Sequence, residues 1–179
     1  MAQAQPNKMA VAASVAIPVE ATLAYIGIGA NLGDAAANVA HAFDALAALS
    51  DTRLVTRSDL YRSTPIDADG DDYINAVACI ETRLAPTALL AALLAIERLQ
   101  GRARSYRNAP RPLDLDILLF GALQLQTAAL TIPHPRITQR AFVLIPLLQI
   151  APAIMIPGMG AAQGFVQAVA GQAIVRVAL

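Results

Sequence analysis

Two spacings of apolar residues alternate along the chain, one of two residues and one close to 3.6. A short apolar run predicts a strand from Thr22 to Ile28, running into a glycine-punctuated turn, Gly27-Ile28-Gly29-Ala30-Asn31-Leu32-Gly33-Asp34. Asp34 suits an N-cap, and Val39, Phe43 and Leu46 at i, i+4 and i+7 predict a helix to about Leu49. Arg53 to Arg57 predicts a second strand, and Asp59 to Asp72 a polar connection with an acidic run at 67, 69, 71 and 72. Tyr73 to Thr82 alternates as a third strand, with Tyr73, Asn75, Val77 and Cys79 on one face and Ile74, Ala76, Ala78 and Ile80 on the other. Pro86 opens a helix that runs to about Gln100 and closes at Gly101, with Leu89, Leu90, Leu93, Ile96 and Leu99 as its buried stripe. A fourth strand lies within Arg111–Gly121, where alternation puts Leu113, Leu115, Ile117 and Leu119 on one face and Asp114, Asp116, Leu118 and Phe120 on the other. Gly121-Ala122 suits a two-residue hairpin turn into Leu123-Gln124-Leu125. Ile132 to Arg136 is expected to be extended, Arg140 to Ile150 helical, and 160–171 a further helix. The order β-α-β-β-α-β, followed by a hairpin strand and C-terminal helices, predicts an α+β, ferredoxin-like fold: an antiparallel sheet with helices on its faces.

Composition narrows this picture modestly. A chain of 179 residues, 56% hydrophobic and 15% charged, is long enough for one domain with a real core. The expected division is a flexible extension over 1–21 and a single domain over 22–179. Zero formal net charge offers no bulk attraction for nucleic acid or anionic membrane. The single cysteine, Cys79, excludes an internal disulfide and fits a reducing compartment, so a cytoplasmic location is expected. Residues 141–157 are strongly apolar, but Pro146, Pro152 and Pro157 interrupt them, which favours a buried helix and loop over a membrane span.

Charge becomes informative where it is local. Asp114 and Asp116 sit on one face of an apolar strand, roughly 6–7 Å apart along it. Two carboxylates in such a setting are costly unless cations compensate them. Arg102, Arg104, Arg107 and Arg111 stand immediately upstream. Phosphate-recognising arginines beside carboxylates that can hold Mg²⁺ make a site for a Mg-nucleotide. The plainer alternative is a pair of solvated strand aspartates with a matching arginine loop. On the third strand, Tyr73 and Asn75 offer an aromatic plate next to an amide, suited to stacking on and hydrogen-bonding a flat heterocycle. Glu97 lies in the last turn of its helix, an unfavourable end for an anion. The glycine turn at 27–34 misses the dinucleotide spacing, and no GxxxxGK[ST] loop is present.

The blocks AYIGIGANLGD, YRSTP, DYINAV, IETRL, IERLQGRAR, APRPLDLDILLFG, IPHPR and RAFVLIPLLQIAP, in this order and spacing, resemble the 6-hydroxymethyl-7,8-dihydropterin pyrophosphokinase family over roughly Leu23–Pro157. The resemblance implies transfer of a pyrophosphoryl group from ATP to the pterin hydroxymethyl oxygen, with AMP released, in folate biosynthesis. It implies that Asp114 and Asp116 hold two Mg²⁺ ions. Arg102, Arg111 and Arg140, with Arg104 beside them, would engage the phosphates. Glu97, Thr131 and His134 would approach the nucleotide. Tyr73 and Phe142 would sandwich the pterin, with Asn75, Ser63 and Pro65 around it. No nucleic-acid, membrane or obligatory protein partner is expected. Two features depart from many members: Ala30 replaces a serine, and Arg107-Asn108-Ala109 replaces a tryptophan-bearing stretch. Two rivals are a D-x-D glycosyltransferase, for which the chain is short, and an RNA-binding ferredoxin-like module, which zero net charge disfavours.

Overall fold

The structure is a computed structural model and describes residues 20–65, 71–101 and 112–177. Its frame is β1 (Thr22–Ala30), α1 (Ala35–Ala47), β2 (Thr52–Arg57), β3 (Tyr61–Ser63), β4 (Tyr73–Thr82), α2 (Pro86–Leu99) and β5 (Asp114–Phe120). After these come the short strands β6 (Leu125–Gln126) and β7 (Thr131–Ile132), α3 (Ala141–Ile150), and β8 (Met155–Ile156) with β9 (Gly160–Ala161). A 3-10 helix over Ala162–Val169 and β10 (Ile174–Arg176) complete the described chain.

The main sheet runs β10-β3-β4-β1-β5, with β2 also on β4, and every pairing in it is antiparallel. The four long strands β5-β1-β4-β2 reproduce the order expected of two interleaved β-α-β units, so the ferredoxin-like arrangement holds. β2 and β3 share one edge of β4, β2 pairing near Thr82 and β3 near Tyr73. Ser58 bridges the break between them. Its N–H donates to the Val77 carbonyl and its Oγ accepts from the Val77 N–H, so β4 loses no hydrogen bond there.

One face of the sheet is buried under α1 and α2. Ala24, Ile26 and Ile28 of β1, Ile74, Ala76, Ala78 and Ile80 of β4, and Leu115 and Ile117 of β5 meet Val39, Phe43 and Leu46 of α1 and Leu89, Leu93 and Ile96 of α2. These are the faces that periodicity predicted for β4 and both helices, except that Leu99, expected in the α2 stripe, ends the helix 89% exposed. α1 starts at its predicted cap, where the Asp34 carboxylate accepts from the Ala37 N–H at 3.0 Å. Among the described residues, the opposite face is only partly covered. Leu144 and Leu147 of α3, with Val169, pack there on Val77, Leu118 and Leu119. Cys79 is buried, as expected of a core thiol.

Several local expectations are overturned. β1 continues through Gly27 and Gly29 to Ala30, and the turn is confined to the residues that follow, with Gly33 at φ 62°. The connection from Asp59 to Asp72 contains β3, whose three residues are too few to register as a period. In β5 a bulge places Leu118 outside the pairing, since Tyr25 pairs with Leu119 and Ile26 with Ile117. One extra residue reverses the alternation beyond it. Leu119 therefore joins Leu118 on the α3 side, and Phe120 packs with the α1–α2 core. Gly121-Ala122 does not return the chain onto β5: β6 pairs with β7 in a separate small sheet. Ile132-Pro133 is a cis peptide, and beyond it the segment turns, so 132–136 is not extended throughout. The helix expected over 160–171 is a 3-10 helix, and β10 after it had no predicted counterpart.

Candidate functional site

The open part of the second face is bounded by β4, β1 and β5. Alternation leaves Gly27 and Gly29 as the β1 residues on this face. Gly29 pairs with Asn75 on one side and Asp114 on the other; Gly27 pairs with Val77 and Asp116. Neither glycine has a positive φ, so backbone freedom does not explain them. Space does. A Cβ on Gly29 would lie 3.3 Å from Asn75 Oδ1, and one on Gly27 would lie 3.2 Å from Leu118 Cδ2. The glycines thus keep a shallow trough between the Asn75 amide and the two carboxylates. Ala30, where a serine was noted as common, is fully buried with the α1–α2 core and does not border this trough.

From β5, the contacts run across the loop that leads into α3. The side chain of Asp116 is 47% exposed, and its Oδ2 stands 3.9 Å from His134 Nε2. His134 is fixed at both ends. Its backbone N–H donates to the Leu118 carbonyl at 2.9 Å, and its Nδ1 accepts from the Arg136 N–H at 3.1 Å. With Nδ1 used as an acceptor, the neutral ring carries its hydrogen on Nε2, toward Asp116. Burial lowers the imidazole pKa to about 4; the cations Arg140 and Arg136 add to the shift, and Asp114 opposes it. His134 is therefore an uncharged donor at neutral pH.

Arg140, the N-cap residue of α3, lies over the Phe142 ring at 5.4 Å from its centroid. Phe142 lines a cavity of about 250 Å³ together with Ser63, Thr64, Ala141, Gly171, Gln172 and Ala173. Ser63 and Asn75 are both buried, and the Asn75 amide donates to Ser63 Oγ at 2.9 Å. The chain of neighbours closes on itself. It runs from Asp114 and Asp116 through His134, Arg140, Phe142, Ser63 and Asn75, and back across Gly29 to Asp114.

Other residues singled out from the sequence stand elsewhere. Tyr73 is half-buried and pairs with Ser63 at the end of β4. Pro65 is the last described residue before position 71, and Thr131 sits in β7 paired with Gln126. Glu97 is only 1% exposed, and its Oε1 accepts from the Leu115 N–H at 2.8 Å. It therefore braces β5 from the helix side, between Asp114 and Asp116, and is not open to a nucleotide base or ribose. Arg102, Arg104, Arg107 and Arg111 lie outside the described residues.

The carboxylate pair suits Mg²⁺, which takes one or two protein carboxylates and completes its octahedron with water and substrate phosphates. Among the described residues, no group of three or more His, Cys, Asp or Glu side chains clusters. Sequence reasoning missed Gly27, Gly29, Thr64 and the 171–173 segment. The glycines carried a usable signal, two at i and i+2 inside an apolar run, but it was assigned to a turn. The 171–173 segment carried none.

Comparison with known proteins identifies the family. Residues 25–152 match the family model for 7,8-dihydro-6-hydroxymethylpterin-pyrophosphokinase. A 2-amino-4-hydroxy-6-hydroxymethyldihydropteridine pyrophosphokinase of Methylorubrum extorquens is 44% identical over 138 residues, which are 76% of this chain and 87% of that protein. The like-named protein of Pseudomonas aeruginosa is 47% identical over 134 residues, covering 74% and 83%. Among solved structures, an HPPK-DHPS in complex with substrates superposes with a TM-score of 0.68 at 13% identity; the match covers 83% of this chain but 43% of that longer one. A wild-type Plasmodium falciparum HPPK-DHPS superposes at 0.65 and 12% identity, with the same coverage. These two structural likenesses speak for the fold alone. The family match and the curated relatives together establish that this chain belongs to the 7,8-dihydro-6-hydroxymethylpterin-pyrophosphokinase family.

Proposed function

We propose that the ring of residues around the glycine trough carries out the family's reaction, with the pterin against Phe142, Ser63 and Asn75 and the ATP phosphates over Asp114 and Asp116. The observation that supports this most directly is the closure of that ring: an aromatic and amide pocket at one end of the trough, two carboxylates at the other, and no side chain on Gly29 between them. The enzyme transfers pyrophosphate from ATP to 6-hydroxymethyl-7,8-dihydropterin in folate biosynthesis.

The transfer needs positioning and charge neutralisation more than a covalent nucleophile. The pterin hydroxymethyl oxygen attacks the β-phosphorus and forms a new P–O bond. The bond from the β-phosphorus to the α–β bridging oxygen breaks, AMP leaves with that electron pair, and the hydroxyl proton passes to solvent. Asp114 and Asp116 are the residues that would hold two Mg²⁺, whose contribution when bound is to neutralise charge on the phosphate oxygens. Asn75, held by Ser63, orients the heterocycle by hydrogen bonding, while Phe142 supplies stacking, with Tyr73, the strand partner of Ser63, as the second ring that the resemblance implies. His134 presents Nε2–H beside Asp116 without adding charge, and Arg140 supplies a cation near the same end. By the resemblance, Arg102, Arg104 and Arg111 would engage the phosphates and Thr131 the nucleotide. Glu97 acts through the β5 backbone, fixing the strand that carries the carboxylates.

The same reading makes 22–179 a single pyrophosphokinase domain working in the cytoplasm on two small substrates, without nucleic acid, membrane or an obligatory protein partner. No described helix is long and apolar enough to cross a membrane. Phosphorus NMR of the protein with Mg-ATP and the dihydropterin tests the reaction. Stoichiometric AMP and a pterin diphosphate are expected, and ADP with a pterin monophosphate would refute it.

A further inference from the structure

The family match ends at residue 152, yet the chain beyond it returns to the pocket. Three contacts bring it there. Ile174 of β10 pairs with Ser63, so the last strand extends the sheet at the residue that holds Asn75. Gly171, Gln172 and Ala173 line the same cavity as Phe142, Ser63 and Thr64. The Gln172 side chain spans the entry to α3: its Nε2 donates to the Gln139 carbonyl at 2.8 Å, and its Oε1 accepts from the Ala141 N–H at 2.8 Å.

That last contact matters because α3 has no local cap. Arg140 occupies the N-cap position but makes no side-chain capping hydrogen bond, and the first helical N–H, that of Ala141, needs an acceptor. Gln172, 31 residues further on, supplies it. The two hydrogen bonds flank Arg140 and fix the backbone immediately before Phe142. The clamp is itself held. The Gln172 N–H donates to the Val169 carbonyl at 3.0 Å, Val169 is buried against α3, and Arg176 forms an ion pair with Asp59 at the start of the β3 edge.

We propose that Gln172 is a positioning residue for pterin binding: by clamping residues 139–141 it sets the Phe142 ring against Ser63, and Gly171–Ala173 forms the cavity wall that the family-matched region lacks. This rests on the pterin occupying the Phe142–Ser63 cavity. Losing the two hydrogen bonds of the clamp loosens the ring without removing any group that touches the phosphates. The signature is a change in KM for the dihydropterin, with kcat and KM for ATP little altered.

The test is steady-state AMP formation by the full chain carrying Gln172→Met, which keeps the length of the side chain and removes both hydrogen bonds. KM for the dihydropterin should rise about three- to tenfold, the range of one ordinary hydrogen bond converted to affinity, with kcat and KM for ATP within about twofold. A thermal melt confirms that the variant is folded at the assay temperature. A merely structural glutamine would lower the melting temperature and leave the pterin KM at its wild-type value, and that result overturns the proposal. If Gln172→Met does not fold, Gln172→Glu replaces it, since this variant keeps the acceptor for Ala141 and loses the donor to Gln139. A pterin KM raised about threefold or more supports the clamp; an unchanged one overturns it. Wild-type protein that forms no AMP would instead refute the assigned reaction, an outcome separate from either.

Discussion

Asp114 and Asp116 owe their significance to what lies opposite them. Each faces a glycine, so neither carboxylate has a neighbouring β1 side chain against it on this face. Asp114→Ala or Asp116→Ala should reduce turnover by at least about a hundredfold, because several kcal/mol of charge stabilisation is lost at the phosphates. Pterin affinity should change far less. The check is AMP formation at ordinary Mg²⁺, and near-wild-type rates in both variants would contradict the assignment. Phe142 makes the complementary case at the other end of the ring. Stacking of this kind is worth about 1–3 kcal/mol per contact, so Phe142→Ala should weaken pterin binding by roughly ten- to a hundredfold. Calorimetry with a pterin analogue and a nonhydrolysable ATP measures this directly, and an unchanged affinity would remove Phe142 from the pocket.

Whole strands, rather than single side chains, carry these residues to one place. β1 does so by what it lacks. Gly29→Val would put a branched side chain into the trough, with its Cβ 3.3 Å from Asn75 Oδ1. A β-branched residue suits a central strand, which offsets part of the cost of that close approach, so the expected result is a loss of kcat/KM of about tenfold or more at a temperature where the variant is still folded, with a modest drop in the thermal midpoint. A variant equally active and equally stable would mean that nothing passes over β1. β5 is held from behind by Glu97. Glu97→Ala leaves the buried Leu115 N–H without its acceptor, at a cost of about 1–3 kcal/mol. The urea midpoint should fall accordingly, and turnover should fall with it, since the strand that loses its brace bears both aspartates.

At the scale of the whole molecule, His134 links the site to stability. Its folded pKa, about 4, is below the ordinary value of 6.5 because the ring is buried among cations. Between those values the unfolded chain takes up a proton that the folded chain refuses. Stability of the metal- and nucleotide-free protein should therefore fall as pH drops from about 6.5 to 4, by up to about 3 kcal/mol from this residue. Above pH 6.5 the contribution is fully present. Urea titrations across this range test the slope, and His134→Gln should flatten it; an equal slope in both proteins would show that other groups dominate.

What the sequence by itself determined follows from its periodicities and its strings of chemistry-bearing residues. β1, β4, β5, α1, α2 and α3 are legible because each buries apolar residues over several repeats, as Ile74, Ala76, Ala78 and Ile80 do in β4; β2 buries none and is legible only as a short β-prone run between turns. The carboxylate pair and the aromatic–amide pair are legible because the residues lie two apart on strands, where alternation alone puts them on one face. Tertiary structure decided what depends on partners distant in the chain. The bulge at Leu118 is set by the pairing of β5 with β1 and moves Leu119 and Phe120 to the opposite faces from those expected. β3 and β10 are too short to show a period and exist as strands because β4 and β3 offer them hydrogen-bonding edges. Glu97 looked like a ligand in sequence, but a packed helix aims it at the Leu115 N–H. Gln172 reaches Gln139 and Ala141 only because β10 pairs with β3 beside α3, and no local pattern encodes a contact across more than thirty residues.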